Sequence, residues 1–312
     1  MIPALAPVHG YSENVYLPGT RSVLEYVKFL QRRTFDGRSR KDYDIVDEWR
    51  RIDERYRALE SNQSDGVDAI EVRALPPAMA ALLSGPIADP YFNHCFDHLP
   101  VSFALVAIDD CMVHQAHIDL DHVMRLRKQL GSQPGAVELF NICMPTSRSD
   151  PQTTGFQESG TSFLFQSDSS DLRGFSPQLL SKELADAMPA SGPMAGVVAL
   201  GVGFGPNYLT GIRIGPRILL YNGYHRAYAL RSLGVTHLPM AIQVTSRADE
   251  LQLLEGGDRI AYMETMSRRR RPPLFRDFFD ADLSVRILSR RMRREVQVNV
   301  SVTTRYVPAD LI

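Results

Sequence analysis

Cysteine is scarce in this 312-residue chain: Cys95, Cys111 and Cys143 are widely spaced and odd in number. Such a set draws no disulfide framework, so a reduced, cytoplasmic setting is expected. No apolar run approaches the roughly 20 residues of a membrane span, and no membrane partner is expected. The opening MIPALAPVHGYSENVY lacks a basic n-region and a long apolar core, so no signal peptide is expected either. Charge of one sign is missing too. The net charge is −1, so no global field draws the chain toward nucleic acid. Hydrophobic residues make up 44% and charged residues 23%, as in an ordinary globular protein with a core and appendages.

The most informative stretch is RILLYNGYHRAYALRSLGVTHLPMAIQ, Arg217 to Gln243. Ile218 to Tyr221 is an apolar run of strand length. Asn222-Gly223 breaks it with turn chemistry. Beyond Tyr224 the period changes, with Ala227, Leu230 and Leu233 at helical spacing. Gly234 stands where a C-cap glycine belongs, and Val235 to Val244 reads as a return strand. Asn222 to Arg226 therefore falls on a strand-to-helix turn. Free N–H groups and the positive end of the helix dipole favour an anion there, and His225 and Arg226 add phosphate-seeking side chains.

Gly223-Tyr224-His225-Arg226, followed by Ala227, Leu230 and Gly234, resembles the signature of the ParB/sulfiredoxin-like superfamily. Leu105 to Gly131, LVAIDDCMVHQAHIDLDHVMRLRKQLG, is similar to that family's opening strand, loop and helix. The resemblance covers roughly residues 101–245. It implies a turn that holds nucleotide phosphates, through Asn222, Gly223, Tyr224, His225 and Arg226. Sulfiredoxin places its cysteine where this chain has Tyr224, which argues against sulfinic-acid chemistry. The His-Arg pair is nearer the branch of small-molecule kinases, although Asn222 replaces an acidic residue. The expected fold is α/β (α+β): a helical N-terminal region over 1–100, a ParB/sulfiredoxin-like core over 101–250, and a C-terminal extension over 251–312.

Along the rest of the chain, residues 1–19 read as a surface arm. Arg21 to Arg33 reads as a helix, and Val46, Trp49, Ile52, Tyr56 and Leu59 mark a second, with Trp49 as a core anchor. Ser61 to Gly66 reads as a loop, and Pro77 to Leu83 as a short helix ended by Gly85-Pro86. Val137 to Met144 is expected to be a core strand and Thr146 to Thr161 a mobile loop or lid. Gly201, Gly203 and Gly205 alternate, but Pro206 and a strand-like Tyr208 to Ile214 follow, so a Rossmann fingerprint fails. Glu295 to Val302 alternates as a half-exposed strand, which would join the main sheet or pair across a homodimer.

Several side chains carry chemistry in one of two ways. His94 and His98 would share a helix face and pair on a metal, or serve as hydrogen-bonded structural residues; the metal itself stays unknown. Asp119 and Asp121 would orient a metal or an acceptor, or cap a helix. Asp171 and Arg173 sit in a polar turn after an aromatic strand, where they would position Mg²⁺ or an acceptor hydroxyl, or form a local ion pair at a capped helix start. The tail, 251–312, holds 12 arginines and no lysine against 8 acids; a solvated face or interdomain contact is favoured over nucleic acid.

The leading expectation is a nucleotide- or phosphate-binding enzyme that transfers a phosphoryl group to a small molecule. His225, Asp119, Asp121 and Asp171 would be catalytic, Arg173 and the turn would bind the ligand, and ATP or ADP with Mg²⁺ would be the cofactor. One alternative is a divergent enzyme of specialised metabolism whose turn takes another anion. The other is a nucleotide-gated DNA-associated protein.

Overall fold

A computed structural model describes residues 8–62, 70–146, 155–169, 171–189, 192–205, 207–247, 250, 265 and 267–307. Residues 63–66 of the expected loop and 147–154 of the expected lid lie outside the described residues. The fold mixes helix and strand. In chain order it runs β1 (Tyr11–Tyr16), α1 (Val23–Arg33), α2 (Asp42–Asn62), β2 (Val72–Arg73), α3 (Pro77–Ala80), α4 (Ser84–Ala88) and α5 (Pro90–Cys95). Next come β3 (Val101–Ala107), β4 (Met112–Val113), β5 (His117–Asp119), α6 (Leu120–Leu130) and α7 (Ala136–Cys143). The middle holds β6 (Gly155–Ser159), β7 (Ser162–Ser167), β8 (Leu172–Gly174), β9 (Gln178–Leu179), α8 (Lys182–Asp186), β10 (Val198–Ala199) and β11 (Val202–Phe204). The last part is β12 (Thr210–Ile214), β13 (Arg217–Asn222), α9 (Tyr224–Ser232), β14 (His237–Thr245), β15 (Val285–Arg290) and β16 (Arg294–Asn299).

Contacts divide the chain into two compact units, 1–147 with 206–291 and 148–205 with 292–312. In the first, a six-stranded sheet runs β2-β3-β14-β12-β13-β4. β14 lies antiparallel to β3 and parallel to β12, while β12 and β13 form an antiparallel hairpin. Ile218, Leu220, Ala227, Leu230, Leu238, Met240 and Phe275 meet in its main core. Each fully buried large apolar side chain of this kind contributes roughly 1.5–3 kcal/mol.

Residues 1–7 of the expected surface arm lie outside the described residues, and over Tyr11–Tyr16 the chain is a strand instead. β1 is the central strand of a second antiparallel sheet, β15-β1-β5, and is buried over most of its length. Its polar residues hid this, because Asn14 and Glu13 are matched by partners distant in sequence. Asn14 Nδ2 donates to Ser289 Oγ at 2.7 Å, and Arg286 pairs with Glu13 at 2.9 Å. Buried polar groups are tolerated when so bonded.

Helices α1 and α2 follow their apolar spacing, and Ser22 with Glu25 forms a capping box at the start of α1. Trp49 is half-buried against the cluster of Tyr26, Leu30 and Ile45, and its indole N–H donates to Arg21 O at 3.1 Å. The expected strand over Val137 to Met144 is instead α7, whose Leu139, Phe140 and Cys143 are buried at helical spacing. A short apolar run has no period that separates a strand from one buried helix. Gly85-Pro86 does not end a helix but lies in the first turn of α4, where proline is accommodated.

In the second unit, β16-β7-β6 form a three-stranded antiparallel sheet. Val296 and Val298 of β16 stand opposite Phe165 and Phe163 of β7. The terminal strand therefore joins a sheet of the second unit and not the main sheet. Phe163 to Phe175 runs from β7 through a turn into β8, with no helix start. Glycines in and just after β11 leave room for side chains: a Cβ at Gly203 would sit 3.1 Å from the Phe175 ring, and one at Gly205 would overlap the Arg173 guanidinium.

Candidate functional site

β13 carries the fully buried Ile218, Leu219 and Leu220 into the motif turn. α9 begins at Tyr224, directly after Gly223. Gly223 is held at φ +97°, a left-handed conformation that glycine adopts without steric cost. The space is also closed: a Cβ there would lie 2.3 Å from Leu209 Cδ1 and 3.4 Å from Leu209 Cα. Asn222 Oδ1 accepts from the Gly223 N–H at 2.8 Å, and its amide donates to Tyr208 O at 3.1 Å. No side chain caps α9, so the positive end of its dipole is not neutralised by an acid.

Each motif side chain has a partner. Tyr224 is buried, and its hydroxyl donates to Leu220 O at 2.6 Å while accepting from the His114 N–H at 3.0 Å. Tyr224 thus locks strand to helix. His225 Nε2 lies 3.1 Å from the Asp119 N–H. Because that N–H can only donate, Nε2 holds the lone pair and Nδ1 the proton. Burial, then the neighbouring His122, His117, Arg125 and Arg226, push the His225 pKa down to about 3. Its ring is neutral at physiological pH, so a cationic phosphate-donor role is replaced by a clamp on Asp119. Arg226 donates from Nη1 to Ile142 O at 2.9 Å and to Asn207 O at 2.7 Å. Ile142 belongs to the last turn of α7, whose end carbonyls have no partner within the helix. Arg226 therefore caps a second helix from its C-terminal side, where a cation suits the dipole.

The His225–Asp119 bond brings the start of α6 to the start of α9. Asp119 is the N-cap of α6, its Oδ1 accepting from the His122 N–H at 3.0 Å. The rings of His122 and His225 meet edge to face at 5.0 Å. Arg125 Nη2 lies 3.4 Å from His122 Nδ1. Burial, then Arg125, lower the His122 pKa, with Asp119 opposing. His117, stacked on Tyr16 and Phe29, is shifted down as well, chiefly by burial. The turn thus gathers Arg125 and Arg226 around histidines that stay neutral. Arg125 was not foreseen; its one signal in the sequence is its place three residues after His122 on the α6 face.

Other expected site residues lie elsewhere. Asp121 stands in the first turn of α6 and pairs with Arg291 at 2.9 Å. Asp171 and Arg173 belong to the second unit, whereas the turn belongs to the first. There the Asp171 carbonyl accepts from the Gly205 N–H at 3.2 Å, and its carboxylate stands 3.9 Å from Arg173 Nη2. α5 ends at Cys95, so His94 and His98 do not share a helix face, and His98 meets Asp97 at 3.2 Å. Among the described residues no group of three or more His, Cys, Asp or Glu side chains is arranged to hold a metal ion. No helix among them is long and apolar enough to cross a membrane. No family model matches the chain, and no match was found among curated proteins or solved structures.

Proposed function

We propose that this chain is an enzyme of the ParB/sulfiredoxin-like kind that binds a nucleotide or other phosphorylated small molecule at the β13–α9 turn. Its reaction is phosphoryl transfer to a small-molecule acceptor. The observation that carries this reading is the uncapped start of α9 held against the start of α6, with Arg125 and Arg226 beside it and the three histidines held below their ordinary pKa. A phosphate there meets the helix dipole and two guanidinium charges.

ATP or ADP would bring Mg²⁺ with it, because that ion takes most of its ligands from water and phosphate and only one or two from carboxylates. Asp119, whose main-chain N–H is bonded to His225 of the turn, is the carboxylate that would serve the ion, whereas Asp121 is drawn to Arg291. The ion supplies charge neutralisation on the transferred group. His225 is a positioning residue that keeps the two helix starts together. One observation favours a second reading, in which the turn binds the carboxylate of a specialised metabolite. His225 is neutral and Arg226 already serves two carbonyls, so a single negative charge is matched as well as a dianion.

A thermal-shift series with ATP, ADP and inorganic phosphate, each with and without Mg²⁺, tests the two readings against simple carboxylates. Arg125→Gln is the cleaner variant, since it leaves the α7 cap intact; about 3- to 10-fold weaker binding is expected. Arg226→Ala should lower both Tm and affinity, the latter by about 10- to 100-fold. Unchanged affinity in folded samples of both variants ends the anion-site reading. A shift by carboxylates and not by phosphates selects the second.

A further inference from the structure

The three-stranded sheet of the second unit has an open edge. β7 is its central strand, and among the described residues no strand lies on the outer side of β16. The Val300 N–H donates to Thr161 O at 2.9 Å, continuing the antiparallel register that sets Arg294 opposite Ser167. Main-chain groups in such a ladder alternate between the two sides of a strand. Those of even-numbered residues therefore face β7, and those of Glu295, Gln297 and Asn299 face outward. The β6–β7 hairpin turns back between Ser159 and Ser162, so the residues after Val300 have no strand of their own sheet beside them.

The sequence nevertheless keeps the pattern of a strand across that boundary. Even positions from Val296 to Tyr306 read Val, Val, Val, Val, Thr, Tyr, and odd positions from Glu295 to Arg305 read Glu, Gln, Asn, Ser, Thr, Arg. A period of two marks a strand with one face covered. Here the apolar row is bare: Val300 is 48% exposed, Val302 87% and Tyr306 fully. Natural edges are blunted with lysine or proline. Neither occurs between 295 and 305.

We propose that residues 295–305 pair antiparallel with the same residues of a second copy of this chain, about a two-fold axis at Val300. The side chains select both partner and register. Read against itself around Val300, the segment sets Glu295 opposite Arg305, Gln297 opposite Thr303 and Val298 opposite Val302. Arg305 is exposed and meets no carboxylate among the described residues. Glu295 accepts from Gln166 through Oε1, which leaves its other oxygen for Arg305 of the second copy. The same register pairs odd positions with odd, so the outward main-chain groups of one copy meet those of the other. Opposite charges and β-branched residues set directly across stabilise a strand pair, and a two-fold interface has to be self-complementary in this way. Two three-stranded sheets become one of six.

Sedimentation equilibrium of the full chain over a range of concentrations tests this, and a dimer is expected. Thr303→Pro removes the N–H that donates to Gln297 of the second copy, at an exposed residue outside β16. It should weaken dimerisation by at least about tenfold. Glu295→Arg and Arg305→Glu each make both charge pairs of the dimer repulsive and should weaken it by roughly 5- to 100-fold. An equimolar mixture of those two variants restores both pairs and should recover the parental affinity. At the axis the two Val300 Cα atoms would lie about 4.5 Å apart, within disulfide reach. Val300→Cys should therefore crosslink two copies on mild oxidation, above the level of the parent chain, and Thr304→Cys should not. A monomer at every concentration, an unweakened dimer in Thr303→Pro, no recovery in the mixture, or equal crosslinking at 300 and 304 overturns the proposal.

Discussion

Replacing Gly223 by alanine perturbs the turn at its most constrained point. At φ +97° an L-residue meets a penalty of roughly 1–2 kcal/mol for the left-handed conformation. The new Cβ would also sit 2.3 Å from Leu209 Cδ1. Leu209 has little room to retreat, since it is fully buried, its N–H donates to Cys143 O at 2.7 Å and its carbonyl accepts from Ala241 at 3.0 Å. Overpacking of that sort costs roughly 1–3 kcal/mol. The stiffer unfolded chain offsets about 0.4–1 kcal/mol. The net expectation is a loss of about 3 kcal/mol, read from urea unfolding as a lower midpoint at constant slope. A companion variant, Leu209→Ala, separates the two causes. In the double variant the clash disappears and the strain remains, so the pair should be coupled by about 1–3 kcal/mol. A loss below about 0.5 kcal/mol, or additivity within 0.3–0.5 kcal/mol, would refute the reasoning.

Three further outcomes are expected. Between pH 6.5 and about 3 the unfolded chain binds a proton at His225 that the folded chain refuses, so stability is lost as pH falls through that window; His225→Gln should flatten the urea-midpoint profile by up to about 1.36 kcal/mol per pH unit, and an unchanged profile would contradict the buried neutral ring. Arg271→Met strands the buried Asp277 carboxylate without its partner and should cost roughly 3–5 kcal/mol by calorimetry, whereas replacing both residues with apolar side chains should recover most of that; a mild single-variant effect would mean the pair is solvated. Cys143 is buried with its thiol pushed up to about 12, and burial raises the Cys111 thiol further, so a thiol reagent should label at most Cys95 in the folded protein and all three after unfolding; rapid labelling of a second thiol would show that this core opens.

The strand–turn–helix–strand passage from Arg217 to Thr245 was legible because its signals are local. An apolar run, Asn222-Gly223, helical spacing and Gly234 each act within a few residues, and the observed elements follow them. The helices α1 and α2 were legible for the same reason. What those signals could not carry is the identity of distant partners. Asn14 and Glu13 look like surface residues until Ser289 and Arg286 arrive from the far end of the chain to make β1 a central strand. Val137 to Met144 is apolar either way, and only the core it packs against made it a helix. His225 and Arg226 read as phosphate seekers in isolation. The Asp119 N–H, 106 residues away, made one a clamp, and the Ile142 carbonyl, 84 residues away, made the other a helix cap. Local sequence determined where the backbone turns; which charges remain to meet a ligand there was decided by what the tertiary fold brought within bonding distance.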